Sequence, residues 1–181
     1  MKRLRNSFLL VMALTHLCCL AAPAANESSN DIDAILKLFP GYHVLTLAER
    51  DAETQAFIHQ HLPKQNPSIV HTDLDSDRHL DYALLLKQDK SQTAKLVVLL
   101  CPADCEKTYE LDITGYAALT YLRPVPIGSR VSQTDAIDTK NYPSPATPRS
   151  HGIEVTYFEK AKMVYYWNKK QKRIEAVQTG D

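Results

Sequence analysis

Four aspartates within residues 70–87 are the side chains of this sequence best suited to bind a metal ion. The stretch reads VHTDLDSDRHLDYALLLK and contains the pattern D-x-D-x-D-x-x-x-D. In a calcium-binding loop, alternate residues turn their carboxylates toward one ion, and a backbone carbonyl completes the set of oxygen ligands. The spacing therefore predicts one calcium site with ligands from Asp73, Asp75, Asp77, the His79 carbonyl and Asp81.

A solvated turn without a metal is the alternative interpretation of the same residues. Carboxylates this close together repel one another unless a cation or water screens them. Arg78 stands where a calcium loop of the EF-hand type has glycine, and Leu84 stands where that loop has a bidentate glutamate. A left-handed conformation at Arg78 would cost roughly 1–2 kcal/mol. Both interpretations stay open at the level of sequence.

The residues on either side of the aspartates have the apolar character of strands, at 68–70 and at 82–86. A strand, an acidic loop and a second strand resemble the calcium loop of FG-GAP and VCBS-type repeats, which occur in integrin α chains and in many exported bacterial proteins. The pattern of that family is D-x-D-x-D-G-x-x-D, from which this chain departs at Arg78. The resemblance is confined to residues 70–87 and implies the same five calcium ligands. One copy is present, which excludes a propeller built of repeated blades.

The first 25 residues have the composition of a secretory signal peptide. Three basic residues precede an apolar run at residues 8–21, and small residues at 22–24 provide a cleavage site before Ala25. The run is too short for a stable membrane span. We therefore expect a periplasmic or secreted protein that has no membrane association after the signal peptide is removed.

Length and charge favour one domain without a nucleic-acid partner. The chain has 181 residues, with 21 basic and 21 acidic side chains. Neither an acidic tail nor a basic patch stands out, which argues against binding to nucleic acid. We expect residues 26–30 to form a disordered linker and residues 31–181 to fold as a single domain.

Two cysteines remain once the signal peptide is excluded, and we expect them to form a disulfide. Cys101 and Cys105 flank a short turn-forming segment between two strand-like runs. In an oxidising compartment such a pair forms a structural bridge. A redox role is the alternative, but C-x-x-x-C is not the thioredoxin spacing, and no helix follows to lower a thiol pKa.

The hydrophobic pattern predicts an α+β fold, an antiparallel sheet meander with two short N-terminal helices. The helices are expected at residues 31–39 and 49–62, with Ala52, Ala56 and Phe57 of the second facing inward. Strands 82–88 and 94–100 are almost continuously apolar, which predicts burial on both faces. Strands 108–113 and 117–122 would continue the same sheet, and a meander would follow at 153–158, 162–167 and 173–179.

Aromatic residues cluster in the C-terminal meander. We expect Val155, Tyr157, Val164 and Tyr166 to line one face of it, with Tyr165 and Trp167 on the other. Such a cluster can serve as a binding platform for a ligand. It can also be ordinary cross-strand packing, which is the interpretation the sequence favours.

The sequence favours a non-enzymatic binding or structural domain. It contains no nucleophile elbow, zinc-protease helix, phosphate-binding loop or dinucleotide fingerprint. The aspartates lie within one turn, whereas glycosidase carboxylates face each other across a cleft, so a hydrolase is the least favoured alternative. The acidic loop, apolar strands and aromatic meander together resemble a recurring class of small exported proteobacterial proteins. The other alternative is an inhibitor or immunity-type protein that blocks an enzyme partner through the acidic loop or through residues 141–151.

Overall fold

The computed structural model describes residues 29–101, 105, 107–132 and 151–180. Within them the chain forms two antiparallel sheets, two α-helices and two 3₁₀ helices, which confirms the predicted α+β class. In chain order the elements are α1 (Ser29–Leu36), β1 (Tyr42–Val44), a 3₁₀ helix (Leu47–Glu49), α2 (Ala52–His61), β2 (Ile69–Thr72), β3 (Asp81–Gln88), β4 (Ala94–Leu100), β5 (Lys107–Asp112), a 3₁₀ helix (Thr114–Leu119), β6 (Thr120–Val125), β7 (Gly152–Tyr157), β8 (Ala161–Asn168) and β9 (Arg173–Gly180).

The first sheet is formed by β1 to β5. Its strand order is β1-β3-β4-β5. Strand β2 pairs with the same edge of β3 as β1 does, but at the opposite end of β3. Strands β3 and β4 are almost entirely buried, as their apolar sequences predict. They are buried on both faces because α1 covers one face of the sheet and the second sheet covers the other.

The second sheet contains β6, β7, β8 and β9 in sequence order. The prediction that residues 117–122 continue the first sheet is wrong. Residues 117–119 belong to the second 3₁₀ helix, in which the Tyr116 N–H donates to the Ile113 carbonyl at 2.8 Å. This helix carries the chain from one sheet to the other, so β6 begins a new sheet at Thr120.

The main core lies between the two sheets. Its fully buried side chains come from both layers and include Leu85, Leu96 and Val98 of the first sheet and Ile153 and Val155 of the second. A smaller core lies between the first sheet and α1, where Ile35 and Phe39 contact the far sides of β3 and β4.

Helix α2 begins later than predicted and presents a different face to the core. Asp51 caps it by accepting a hydrogen bond from the Thr54 N–H at 2.7 Å. With the start fixed there, Thr54 and Ile58 are buried, whereas Ala52 and Ala56 are not part of the buried face. The expectation that both alanines face inward is therefore wrong.

The faces of the meander also differ from the prediction. Val155 pairs with Met163, and Tyr157 pairs with Ala161, across a short turn. Since residues paired across strands share a face, Val155 and Tyr157 lie with Tyr165 in the main core. Val164 and Tyr166 lie on the opposite face with Val131 and Val177. If the turn before a strand is one residue longer or shorter, every side chain of that strand moves to the opposite face of the sheet. The predicted turn between β7 and β8 differs from the observed one in this way, so the side chains of β8 were assigned to the wrong faces.

Several expectations fall on residues outside the described ranges. These are the signal peptide at 1–25, the first part of the linker at 26–28 and residues 141–150 of the candidate inhibitor segment 141–151. Helix α1 begins at Ser29, within the stretch expected to be a linker. In the part of the chain that the structure describes, no helix has both the length and the apolar character required to cross a membrane.

Candidate metal site

The aspartates lie in the loop of the hairpin formed by β2 and β3. The two strands pair antiparallel, and the last pair is Thr72 opposite Asp81. The predicted arrangement of strand, acidic loop and strand is therefore present. The loop itself is residues 73–80, so Asp81 is the first residue of β3.

Three of the four aspartates converge. One carboxylate oxygen from each of Asp73, Asp75 and Asp81 lies within 4.8 Å of the other two. Asp73 and Asp75 are half-buried, and Asp81 is only 1% exposed. Three acidic oxygens at this separation could be bridged by one divalent cation.

The loop backbone folds around two of these carboxylates. The Asp77 N–H donates to Asp73 Oδ1 at 3.2 Å and to Asp75 Oδ1 at 3.1 Å. The Arg78 N–H donates to Asp73 Oδ2 at 3.1 Å. These bonds orient the Asp73 and Asp75 side chains toward the inside of the loop. A carboxylate has about four lone-pair positions, so each can also accept a metal ion.

Asp81 is the buried end of the cluster. Its Oδ2 accepts a hydrogen bond from the Leu74 N–H at 2.6 Å, and its Oδ1 accepts one from the Cys101 N–H at 2.9 Å. Burial raises the pKa of Asp81 to about 6, and the negative charges of Asp75 and Asp77 act in the same direction, against the lowering effect of the two N–H donors. The buried carboxylate is therefore held by neutral donors, without a salt bridge to a cationic side chain among the described residues.

Asp75 is affected by burial and by neighbouring negative charges in the same way as Asp81. Burial and the charges of Asp77 and Asp73 raise its pKa above the ordinary value. A cation placed among the three carboxylates would remove this penalty, because an opposite charge within about 4–6 Å favours the ionised form.

Asp77 does not join the cluster. Its Oδ1 accepts the His79 N–H at 2.8 Å, and its Oδ2 lies 3.4 Å from His79 Nδ1. The His79 backbone hydrogen bond, the largest cause, lowers the pKa of Asp77. Of the predicted carboxylate ligands, Asp73, Asp75 and Asp81 are therefore together, and Asp77 interacts with His79 and, at the edge of the cluster, with Asp75.

Arg78 has a left-handed backbone, with φ of 77°, a conformation that glycine adopts without strain. Ser76 is also left-handed, with φ of 62°. Two non-glycine residues in this conformation make the loop strained. Among the described residues, no salt bridge joins Arg78 to a carboxylate. Its guanidinium therefore does not neutralise the aspartate cluster.

The predicted disulfide between Cys101 and Cys105 is present, with an S–S distance of 2.15 Å. Nothing in the sequence links this bridge to the acidic loop. The hydrogen bond from the Cys101 N–H to Asp81 joins them, because the end of β4 lies beside the start of β3. The sequence contains no local signal for this contact, which spans twenty positions.

A second charged cluster was not predicted. His43 lies between two carboxylates, with Nδ1 2.7 Å from Asp89 Oδ1 and Nε2 3.1 Å from Glu49 Oε1. Glu49 also forms a salt bridge with Lys87 at 3.1 Å. The cluster arises where β1 pairs with the end of β3, so the groups come from separate segments.

Comparisons with protein-family models, curated proteins and solved structures found no match to this chain. Its function is therefore inferred from its own residues alone. The sequence offered two segments through which an inhibitor could contact an enzyme, the acidic loop and residues 141–151. Residues 141–150 lie outside the described residues. The acidic loop remains as the candidate contact.

Proposed function

We propose that this protein is a non-enzymatic exported domain that binds one calcium ion at the loop between β2 and β3. The convergence of Asp73, Asp75 and Asp81 within 4.8 Å is the observation that supports this proposal. Binding would stabilise the hairpin, and through Asp81 it would stabilise the neighbouring end of β4.

The chemistry of the cluster favours calcium over other metals. All of the candidate ligands are oxygens, which suit hard cations, and transition metals would favour imidazole or thiolate ligands. Calcium lies about 2.3–2.6 Å from each oxygen, so two oxygens on opposite sides of the ion are roughly 5 Å apart. The His79 carbonyl and water would complete the coordination. Magnesium has shorter bonds and a strict octahedral geometry and usually keeps several of its waters, so it is less often held by several carboxylates of one loop.

The position of Asp81 argues against a catalytic role for the cluster. A carboxyl group with a pKa of about 6 is a feature of many general acids. Asp81 is almost completely buried, however, and each of its oxygens already accepts a backbone N–H. The three carboxylates also converge at one end of a hairpin, whereas glycosidase carboxylates flank the scissile bond from opposite sides.

Thermal melts with calcium, with magnesium and with a chelator test the proposed ion. Calcium should raise the melting temperature, and magnesium should have a smaller effect. Asp75→Asn keeps the shape of the side chain and should remove the calcium effect. Asp33→Asn, at an exposed position of α1, is the matched control and should retain it. A wild-type protein whose melting temperature is the same in calcium and in chelator would contradict the proposal.

Export is tested by fractionation of cells that express the full chain. The periplasmic or secreted fraction should contain protein that begins at Ala25, as mass spectrometry of the intact chain would reveal. Protein found only in the cytoplasm with an intact N-terminus would overturn this part of the proposal.

A further inference from the structure

A cavity of about 310 Å³ lies between the two sheets, at the end formed by β4, β5, β8 and β9. Its walls are mainly apolar, and they include two exposed cationic residues, Lys172 of the turn before β9 and Arg173, the first residue of β9. The lining residues are Val98, Leu100, Tyr109, Trp167, Lys172, Arg173 and Ile174.

The apolar part of the cavity is assembled from both sheets. Val98 and Leu100 of the first sheet are buried at its base, and Tyr109 is half-buried beside them. Trp167 and Ile174 are paired across β8 and β9 and are half-buried against the main core. The cavity is thus a continuation of the interior that opens to solvent, and an apolar group that enters it would be removed from water.

The turn between β8 and β9 places positive charge at the opening. Its sequence is NKKQKR, residues 168–173, with four cationic side chains. Arg173 is 3.1 Å from Glu175, so part of its charge is compensated. No carboxylate lies within salt-bridge distance of Lys172 among the residues described. An anionic group at the mouth of the cavity would therefore meet an ammonium group that none of the described carboxylates neutralises.

We propose that this cavity binds a small anionic amphiphile, a medium-chain fatty acid. The acyl chain would lie against Val98, Trp167 and Ile174, and the carboxylate would contact Lys172 and Arg173. The cavity is at the small end of the range of small-molecule sites, roughly 300–1,000 Å³. A volume of this size suits one acyl chain of medium length better than the two chains of a membrane lipid. None of these residues belongs to the acidic loop, so this proposal is independent of the proposed calcium site.

The fluorescence of Trp167 provides a direct readout, because it is the one tryptophan of the chain and it lines the cavity. The protein is titrated with hexanoate, octanoate and decanoate below their micelle concentrations, without calcium, since calcium precipitates fatty acids. We expect a saturable change in emission, with affinity rising about fourfold for each added methylene. Decanol and decyltrimethylammonium should bind at least fivefold more weakly than decanoate.

Two charge-matched double variants test the role of the turn. Lys172→Gln with Arg173→Gln removes the cations that flank the cavity, and it should weaken decanoate binding about tenfold. The same variant should leave the binding of decanol within twofold of the wild type. Lys169→Gln with Lys170→Gln removes the same net charge from the same turn, outside the lining, and should change decanoate affinity less than twofold.

Three results would overturn the proposal. The first is the absence of saturable change in Trp167 emission with millimolar decanoate. The second is equal affinity for decanoate and decyltrimethylammonium, which would remove the role of the cations. The third is an equal loss of decanoate binding in both double variants, which would indicate attraction to the turn as a whole and not to the cavity.

Discussion

The carboxylate of Asp81 accepts a hydrogen bond from the Cys101 N–H at 2.9 Å, which connects the acidic loop to the disulfide. Its other oxygen accepts the Leu74 N–H at 2.6 Å, at a leucine that is completely buried. Two segments that are distant in sequence therefore depend on one buried side chain. The geometry of the loop and the stability of the end of β4 should respond together when Asp81 is changed.

Replacing Asp81 with alanine should destabilise the protein by about 2 kcal/mol, because two backbone N–H groups lose their acceptor in a buried environment. Asp81→Asn should cost less, since the amide oxygen can still accept one of the two bonds. Urea denaturation without calcium measures both effects. Asp33→Ala, at an exposed helical position, should change the free energy of unfolding by less than about 0.5 kcal/mol. An Asp81→Ala variant as stable as this control would show that the two bonds are unimportant.

Arg78→Gly should strengthen calcium binding, because it relieves the left-handed strain and removes a cation from the loop. For a dissociation constant of about 10⁻⁴ M, 1 mM calcium would stabilise the wild type by roughly 1.4 kcal/mol. Calorimetric titration of both proteins gives the two constants. Ser76→Gly relieves strain at a neighbouring left-handed residue without a change in charge, so it separates the two causes. Weaker binding by Arg78→Gly than by the wild type would contradict the expectation.

Reduction of the disulfide should lower the melting temperature without unfolding the protein at room temperature. The bridge closes a loop with a sequence separation of 4, and so short a loop accounts for roughly 2 kcal/mol in the chain-entropy model. Melts with and without reductant measure the effect, and the Cys101→Ser, Cys105→Ser variant should not respond to reductant. Two reactive thiols in protein that has not been treated with reductant would contradict the presence of the bridge.

The local features of this fold were predictable, and the contacts between distant segments were not. The apolar residues on either side of the aspartates predicted the strands around the acidic loop, and continuous apolar residues predicted the burial of β3 and β4, because both signals are contained in a few consecutive residues. The break between the sheets was missed because residues 117–122 were assigned to one strand as a single apolar run, although residues 117–119 form a 3₁₀ helix.

The candidate site was predictable only in part, for the same reason. The sequence gathers four aspartates, but it does not determine that the Asp77 carboxylate accepts the His79 N–H and lies outside the cluster. Nor does it reveal that Asp81 is the buried member, since that depends on its contact with Cys101 twenty positions later. The cavity at Trp167 was missed because its walls come from two sheets.

His43 should make the protein more stable in mildly acidic solution than at alkaline pH. The hydrogen bond with Asp89, the largest cause, and contacts with Glu49 raise the pKa of His43 above 6.5. Its folded-state pKa therefore exceeds the unfolded value, so the stabilisation is complete below pH 6.5 and is lost as the pH rises through the raised pKa.

Denaturation between about pH 6 and pH 8 tests this dependence. His43→Gln should reduce the fall in the free energy of unfolding across that range, because glutamine does not titrate. His59→Gln, at an exposed position of α2, should keep the wild-type slope. Identical slopes in the wild type and His43→Gln would rule out His43 as the source.

Loss of the buried Arg50 side chain should strongly destabilise the fold. It is 4% exposed, and its guanidinium donates to the carbonyls of Thr120 and Thr46 at 2.8 Å and to Ser68 Oγ at 2.6 Å. Burial lowers its pKa to about 10, so it stays charged at neutral pH. It links the segments before β2 with the start of β6, and therefore connects the two sheets.

Arg50→Met keeps most of the apolar length but leaves several buried oxygens without donors, so we expect a loss of about 3 kcal/mol or more. Arg50→Lys should recover only part of it, because an ammonium group cannot reproduce the planar fork of donors. Arg123→Met removes an exposed arginine whose salt bridge to Glu154 measures 3.5 Å, and it should cost less than about 1 kcal/mol. Urea denaturation of the three variants ranks them. Arg50→Met and Arg123→Met of equal stability would show that the buried guanidinium does not hold the sheets together.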